Sequence, residues 1–170
     1  DYAIDWIAAT AGTGDAGFSS TSEEFHANIT SGGTSSFHVF LRQFDLSLTA
    51  GTPYTLSFKA RSSAVRSIRI LLQTNNGETW GNLASFPIDL DIDSTMREYR
   101  FGFISAGTYP AARLSFNLGN DDNDVYLDDI ILREGNIRAE AYAVNARLGR
   151  GNNYKASKSY PNARGAVEDY

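Results

Sequence analysis

The chain has 170 residues, enough for one domain with a sizeable core and little beyond it. Its 15 Lys and Arg against 20 Asp and Glu give a formal net charge of -5 with no basic run to track phosphates, which argues against nucleic acid as a partner. The lack of cysteine excludes a disulfide framework and thiol chemistry, and no apolar stretch approaches the ~20 residues that span a bilayer, so a membrane role is not expected.

The chain starts at Asp1 with no signal-peptide pattern and reads as a processed or excised piece of a secreted, extracellular protein. Nine Tyr, 10 Phe and 15 Gly beside a single Met, with many Thr and Ser, point to β structure. Short alternating runs predict strands over Glu24–Thr30, Phe37–Leu46, Pro53–Ser62, Arg66–Thr74, Ser85–Leu90, Met96–Phe103, Ala112–Leu118 and Val125–Arg133. Turn residues fall between them, at Ser31 to Gly33, Ala50 to Pro53, Asn75 to Gly77 and Gly119 to Asp124. Strands at this spacing predict an antiparallel β-sandwich. Near Gly135 the composition shifts toward Ala, Asn, Arg and Lys, which divides the chain into a sandwich over residues 1–134 and a linker-like segment over residues 135–170. Within that segment, Ala139–Val144 suits a short helix or a covering strand, and Asn152–Arg164 has loop composition.

Alternate residues of a strand face opposite sides of a sheet, so parity separates core from surface. Over Phe37–Phe44, Val39 and Leu41 belong to the core, which sends His38, Phe40, Arg42 and Phe44 to the opposite face. Over Ser67–Asn75, burying Ile68, Ile70 and Leu72 turns Ser67, Arg69, Leu71, Gln73 and Asn75 outward. Over Ala112–Leu118, Leu114, Phe116 and Leu118 face inward and Arg113, Ser115 and Asn117 outward. One face thus collects rings, amides and guanidinium groups. That mixture suits a neutral glycan, because sugar C–H faces pack on rings while planar amides and guanidinium groups meet hydroxyls that both donate and accept.

Each residue also has a blander role. Trp80, just past the Asn75 to Glu78 turn, is either a stacking platform or a cap on the core; Phe40 and Phe44 suit a groove or a face buried beneath a loop. Arg69 and Arg113 alone would read as solvated charges, but their shared parity with Gln73, Asn75 and Asn117 favours a groove. His26 and His38 show no metal-ligand spacing.

The ordered strings Phe37-His-Val-Phe-Leu-Arg-Gln-Phe, Leu48-Thr-Ala-Gly-Thr-Pro-Tyr-Thr-Leu-Ser-Phe-Lys-Ala-Arg, Ser67-Ile-Arg-Ile, Phe116-Asn-Leu-Gly and Val125-Tyr-Leu-Asp-Asp-Ile-Ile-Leu resemble the carbohydrate-binding module superfamily that includes families 4, 9, 16 and 22. The resemblance covers residues 6 to 133. It implies a jelly-roll of two antiparallel sheets whose concave face binds β-glucan or xylan chains, with a structural calcium. By position, the family's cleft residues fall on Phe40, Arg42, Phe44, Arg69, Leu71, Gln73, Asn75, Trp80 or Thr79, Arg113 and Asn117. Phe40 stands where many members have Gln. Asp128-Asp129 resembles the family's terminal-strand pair, of which Asp128 would ligate calcium with backbone carbonyls of the N-terminal region; as an ordinary edge-strand feature the pair would only discourage aggregation. Members usually begin with a strand before the Trp that matches Trp6, and only Asp1 to Asp5 precede it here.

Arg147-Leu-Gly-Arg-Gly-Asn-Asn and Glu168-Asp-Tyr resemble the opening of a family 5 glycoside hydrolase barrel, over residues 147 to 170. That resemblance implies a tethered catalytic domain, of which only a stub too short to act is present. The expected activity is therefore binding without turnover. An enzyme would need paired carboxylates facing each other in the groove, which the parity set lacks. A structural or protein-binding sandwich would present the same face with more apolar and fewer amide groups.

Overall fold

The structure is a computed structural model that describes residues 6–21, 24–75, 79–83 and 85–135, and the readings made for the 136–170 tail fall outside the described residues. One sheet has six strands: β1 (Trp6–Thr10), β4 (Val39–Leu48), β10 (Tyr109–Asn117), β6 (Arg66–Asn75) and β7 (Trp80–Asn82) lie side by side in that order, and β8 (Ile88–Ile92) also pairs with β6. The other has five, in the order β2 (Asp15–Ser20), β3 (Phe25–Ser31), β11 (Val125–Glu134), β5 (Pro53–Ser62) and β9 (Arg97–Ile104). All pairings are antiparallel. The chain passes from one sheet to the other between β1 and β2, β3 and β4, β4 and β5, β5 and β6, β8 and β9, β9 and β10, and β10 and β11, so each sheet joins strands distant in sequence. The architecture is the predicted all-β jelly-roll sandwich.

Parity sorts the core as the sequence implies. Val39, Leu41, Ile68, Ile70, Leu72, Leu114 and Phe116 from the first sheet meet Leu56, Phe58, Ala60, Val125 and Leu127 from the second, all buried. Phe58 and Phe116 lock the two sheets edge to face, ring centroids 5.0 Å apart. In β4, simple alternation would push Leu46 and Leu48 out beside Phe44. A bulge prevents this: Leu114 pairs with Gln43 but Ala112 with Leu46, and the extra residue is absorbed where Asp45 takes φ 57. Leu46 then packs on the core and Leu48 is buried.

Eight predicted strands are present with ends shifted by a few residues. Three strands were not anticipated. Trp6–Thr10 is Ala-rich, Asp15–Ser20 holds Gly and Ser, and Trp80–Asn82 is three residues long, so none carries an alternation signal of its own; neighbours with strong patterns recruit them.

One end of the sandwich is closed by a buried cation. The loop 118–124 carries the chain from β10 to β11, and the Arg66 guanidinium, with no exposed side-chain surface, donates into it. Its Nη1 bonds the carbonyls of Asp121 and Asn123, and its Nη2 those of Leu118 and Gly119. Burial lowers the Arg66 pKa, a shift opposed by the charges of Asp121, Asp122 and Asp124. The same loop holds β3: Asp122 accepts from the Gly32 N–H at 2.7 Å and Asp124 from the Ile29 N–H at 3.0 Å. Replacing Arg66 by Met would strand these carbonyls, and urea denaturation should show a loss of about 3–5 kcal/mol; an unchanged midpoint would contradict this role.

Candidate functional site

The outward face of the six-stranded sheet is ordered in rows by its pairing register. Arg113 lies opposite Gln73, which lies opposite Asn82; Arg42 faces Ser115, which faces Leu71; Phe40 faces Asn117, which faces Arg69, and Arg69 faces Asp89. Asn75 faces Trp80 at the far end of β6. All residues of the outward set but one therefore occupy one surface. The Ser115 side of β10 forms its floor: Ser115 has no exposed surface, and Asn117, Gln73 and Leu71 retain only 6, 8 and 9 % of theirs. Four strand positions separate Arg113 from Asn117, about 13 Å along the strand.

His38 is the exception. It belongs to a 3-10 turn, Ser36–His38, that precedes β4, and strand parity does not extend to it. Its buried ring points into the loops before β2 and after β3, where Nδ1 accepts from the Thr34 N–H at 3.2 Å and meets the Thr13 hydroxyl at 3.3 Å. Gly12 (φ 58) and Gly33 (φ 67) are required here, since a Cβ on either would come within 2.4 Å of an imidazole nitrogen. His38 is a loop anchor and not a groove residue.

The floor is hydrogen-bonded along itself. Arg42 Nε donates to Ser115 Oγ at 3.1 Å, and Ser115 Oγ donates to Asn117 Oδ1 at 2.8 Å. Arg113 Nε donates to Gln73 Oε1 and Gln73 Nε2 to Asn82 Oδ1, each at 2.9 Å. The rings flank this floor. The Arg42 guanidinium lies over Phe40 at 3.6 Å and that of Arg113 over Trp80 at 4.0 Å, with Phe44 edge-on to Trp80 at 5.9 Å. Trp80 is thus a wall of the surface beside the floor, half-buried. One face of Phe40 and one of Trp80 are taken by a guanidinium, so a sugar has the other faces, the ring edges and the guanidinium planes to pack on. Burial and the nearby Arg42 charge push the Arg113 pKa down to about 10.

Arg69 is balanced where Arg42 and Arg113 are not. It forms a two-point pair with Asp89, Nε to Oδ1 at 2.6 Å and Nη2 to Oδ2 at 2.9 Å. Beside this pair, Ser36, Ser67, Gly119, Asn120 and Asp121 line a polar depression of about 450 Å³ that continues the face. Asp89 escaped sequence reasoning because its partner lies 20 residues away, and Asn82 because a three-residue strand shows no parity. Asp89 shares its strand and face with Asp91, opposite Ser67, so these carboxylates do not confront each other across the surface as glycosidase catalysis requires.

Asp128 and Asp129 lie on the second sheet, where β11 bulges and Asp129 takes φ 48. The Lys59 ammonium stands 3.6 Å from Asp128 and 2.7 Å from Asp129, and its hydrogen bond to Asp129 raises its pKa. Calcium takes about six to eight oxygen ligands. Here a cationic side chain already occupies the two carboxylates, and no group of three or more His, Cys, Asp or Glu that could hold a metal occurs among the described residues. The expected calcium shell draws on backbone carbonyls of the N-terminal region, of which residues 1–5 lie outside the described residues.

The hydrogen bonds from Arg69 hold the Asp89 carboxyl below its ordinary value of 3.8, which is the wrong direction for a proton donor. A depressed folded value means that the pair's contribution is complete above pH 3.8 and is lost as pH falls through the lower folded value. NMR titration of Asp89 should give a midpoint below 3.8 that rises in Arg69→Gln; an ordinary midpoint in the parent protein would contradict the pairing.

Residues 2–124 match the sequence profile of a family described as carbohydrate binding domain. No curated protein matches the chain. Among solved structures, one from work on CBM4 structure and function is 21% identical with a TM-score of 0.70, over 78% of this chain and 88% of that one. The N-terminal cellulose-binding domain of Cellulomonas fimi β-1,4-glucanase C is 20% identical with a TM-score of 0.61, over 76% and 88%. The family 11 carbohydrate-binding module of Clostridium thermocellum, in complex with a β-1,3-1,4-mixed-linked tetrasaccharide, is 13% identical with a TM-score of 0.53, over 75% and 87%. At these identities the structures establish the shared fold.

Proposed function

The chain belongs to the carbohydrate binding domain family, and from that membership we propose that the outward face of its six-stranded sheet binds a single polysaccharide chain of the β-glucan or xylan class without turning it over. The observation that carries the reading is the floor itself: amide, hydroxyl and guanidinium groups fixed by Arg42–Ser115–Asn117 and Arg113–Gln73–Asn82, flanked by Phe40, Phe44 and Trp80. Sugar hydroxyls donate and accept, and such a surface meets both needs without rearranging. Each added hydrogen bond nets ~0.5–1.5 kcal/mol, so the expected affinity is micromolar to sub-millimolar.

Weak binding of this kind suits a module that holds an attached glycoside hydrolase near its substrate by raising effective concentration, in an extracellular setting. A protein-binding role is disfavoured by the buried polar floor, since the centre of a protein interface is depleted in charge. No step of this proposal depends on calcium.

Trp80→Ala and Asn117→Ala should each weaken retention on β-glucan or xylan affinity gels by about tenfold while leaving the melting temperature within a few degrees. Parent-like retention of both variants would overturn the groove assignment.

A further inference from the structure

The three arginines of the binding face differ in how their charge is met. Arg69 spends Nε and Nη2 on Asp89. Arg42 and Arg113 each spend only Nε, on the neutral Ser115 and Gln73. Among the described residues neither has a carboxylate partner, and none accepts a hydrogen bond from their terminal Nη groups. Their planes are held by Phe40 and by Trp80, so the forks are fixed in orientation. They are also partly buried and close enough for the charge of Arg42 to act on Arg113. Two desolvated like charges with free forks cost stability in the empty protein, and a neutral hydroxyl would recover little of it. This occurs on a chain whose net charge is -5, where carboxylates are in excess and none of the described ones pairs with either group.

We propose that Arg42 and Arg113 are anion-recognition points within the binding face, and that the bound polysaccharide carries acidic groups, carboxylate or sulfate, that seat against these guanidinium forks. The inference rests on the groove reading and narrows its ligand class to the acidic members of the β-glucan or xylan class. Planar guanidinium groups meet such oxygens with two parallel hydrogen bonds each. Phe40 and Trp80 then act as backing for the guanidinium planes as well as packing surfaces for sugar.

The test is calorimetric titration with matched polymers at low and high salt: glucuronoxylan against the same polymer after carboxyl reduction, and a sulfated β-glucan against its unsulfated parent. One acidic member should bind about tenfold more tightly than its neutral partner at low salt, and which one does so identifies the group. The advantage should shrink at high salt, as screening requires, and the acidic-to-neutral ratio should fall toward one in Arg42→Gln and Arg113→Gln. It should persist in Lys59→Gln, which removes the same charge from the opposite sheet. Equal binding of acidic and neutral polymers, or a ratio that Lys59→Gln reduces as much as the groove variants do, would overturn the anion site and leave the groove reading standing. Absence of binding to all four polymers would overturn both.

Discussion

Strand β10 carries opposite obligations on its two faces. It lies between β4 and β6 in the centre of its sheet, and Leu114 and Phe116 must fill the core while Arg113, Ser115 and Asn117 emerge on the other side. A strand has no third direction, so whatever secures the core also fixes the position of the binding floor. The edge-to-face contact of Phe58 and Phe116 is the point where this constraint is strongest, because it joins the sheets directly beneath Ser115 and Asn117. A one-residue slip of β10 would bury Ser115 and Asn117 in the core and expose both apolar residues at once.

Rigidity of the floor follows from how the rest of the sandwich is tied. Arg66 gathers four carbonyls of the 118–124 loop, and Asp122 and Asp124 fasten that loop to the β3 end. A buried cation that nearly satisfies its own donors is costly to break, which keeps the end of β10 in place. The side chains above it can then be held by hydrogen bonds to neutral acceptors, with no reorganisation left for ligand binding. The unbalanced charges of Arg42 and Arg113 sit in this fixed frame. Energy withheld there becomes available to a ligand that brings the missing anion.

Much of this was legible in the sequence because the strongest patterns belong to the central strands. Ile68, Ile70 and Leu72 and then Leu114 and Phe116 declare both the core and, by parity, the opposite face. Legibility failed where parity stops. His38 sits one residue before its strand and turns into the loops; Asp45 absorbs a residue at a bulge and resets the alternation. Short edge strands of small residues, such as Trp6–Thr10 and Asp15–Ser20, form because stronger neighbours offer hydrogen bonds to them. Pairings across the sheet were hidden as well: Arg69 with Asp89 and Lys59 with Asp129 are register neighbours or near neighbours only once the strands have docked. The face was readable in sequence, and the charge balance upon it was not.

The central claim is that glycan recognition takes place on the outward face of the six-stranded sheet. NMR titration with a xylan or β-glucan oligosaccharide tests it most directly. The account predicts saturable shifts at the Gln73 and Asn117 side-chain amides and the Trp80 indole N–H, with His26 and Tyr126 on the opposite sheet unmoved. Shifts concentrated at His26 and Tyr126, or none at Gln73, Asn117 and Trp80 while binding occurs, would contradict it.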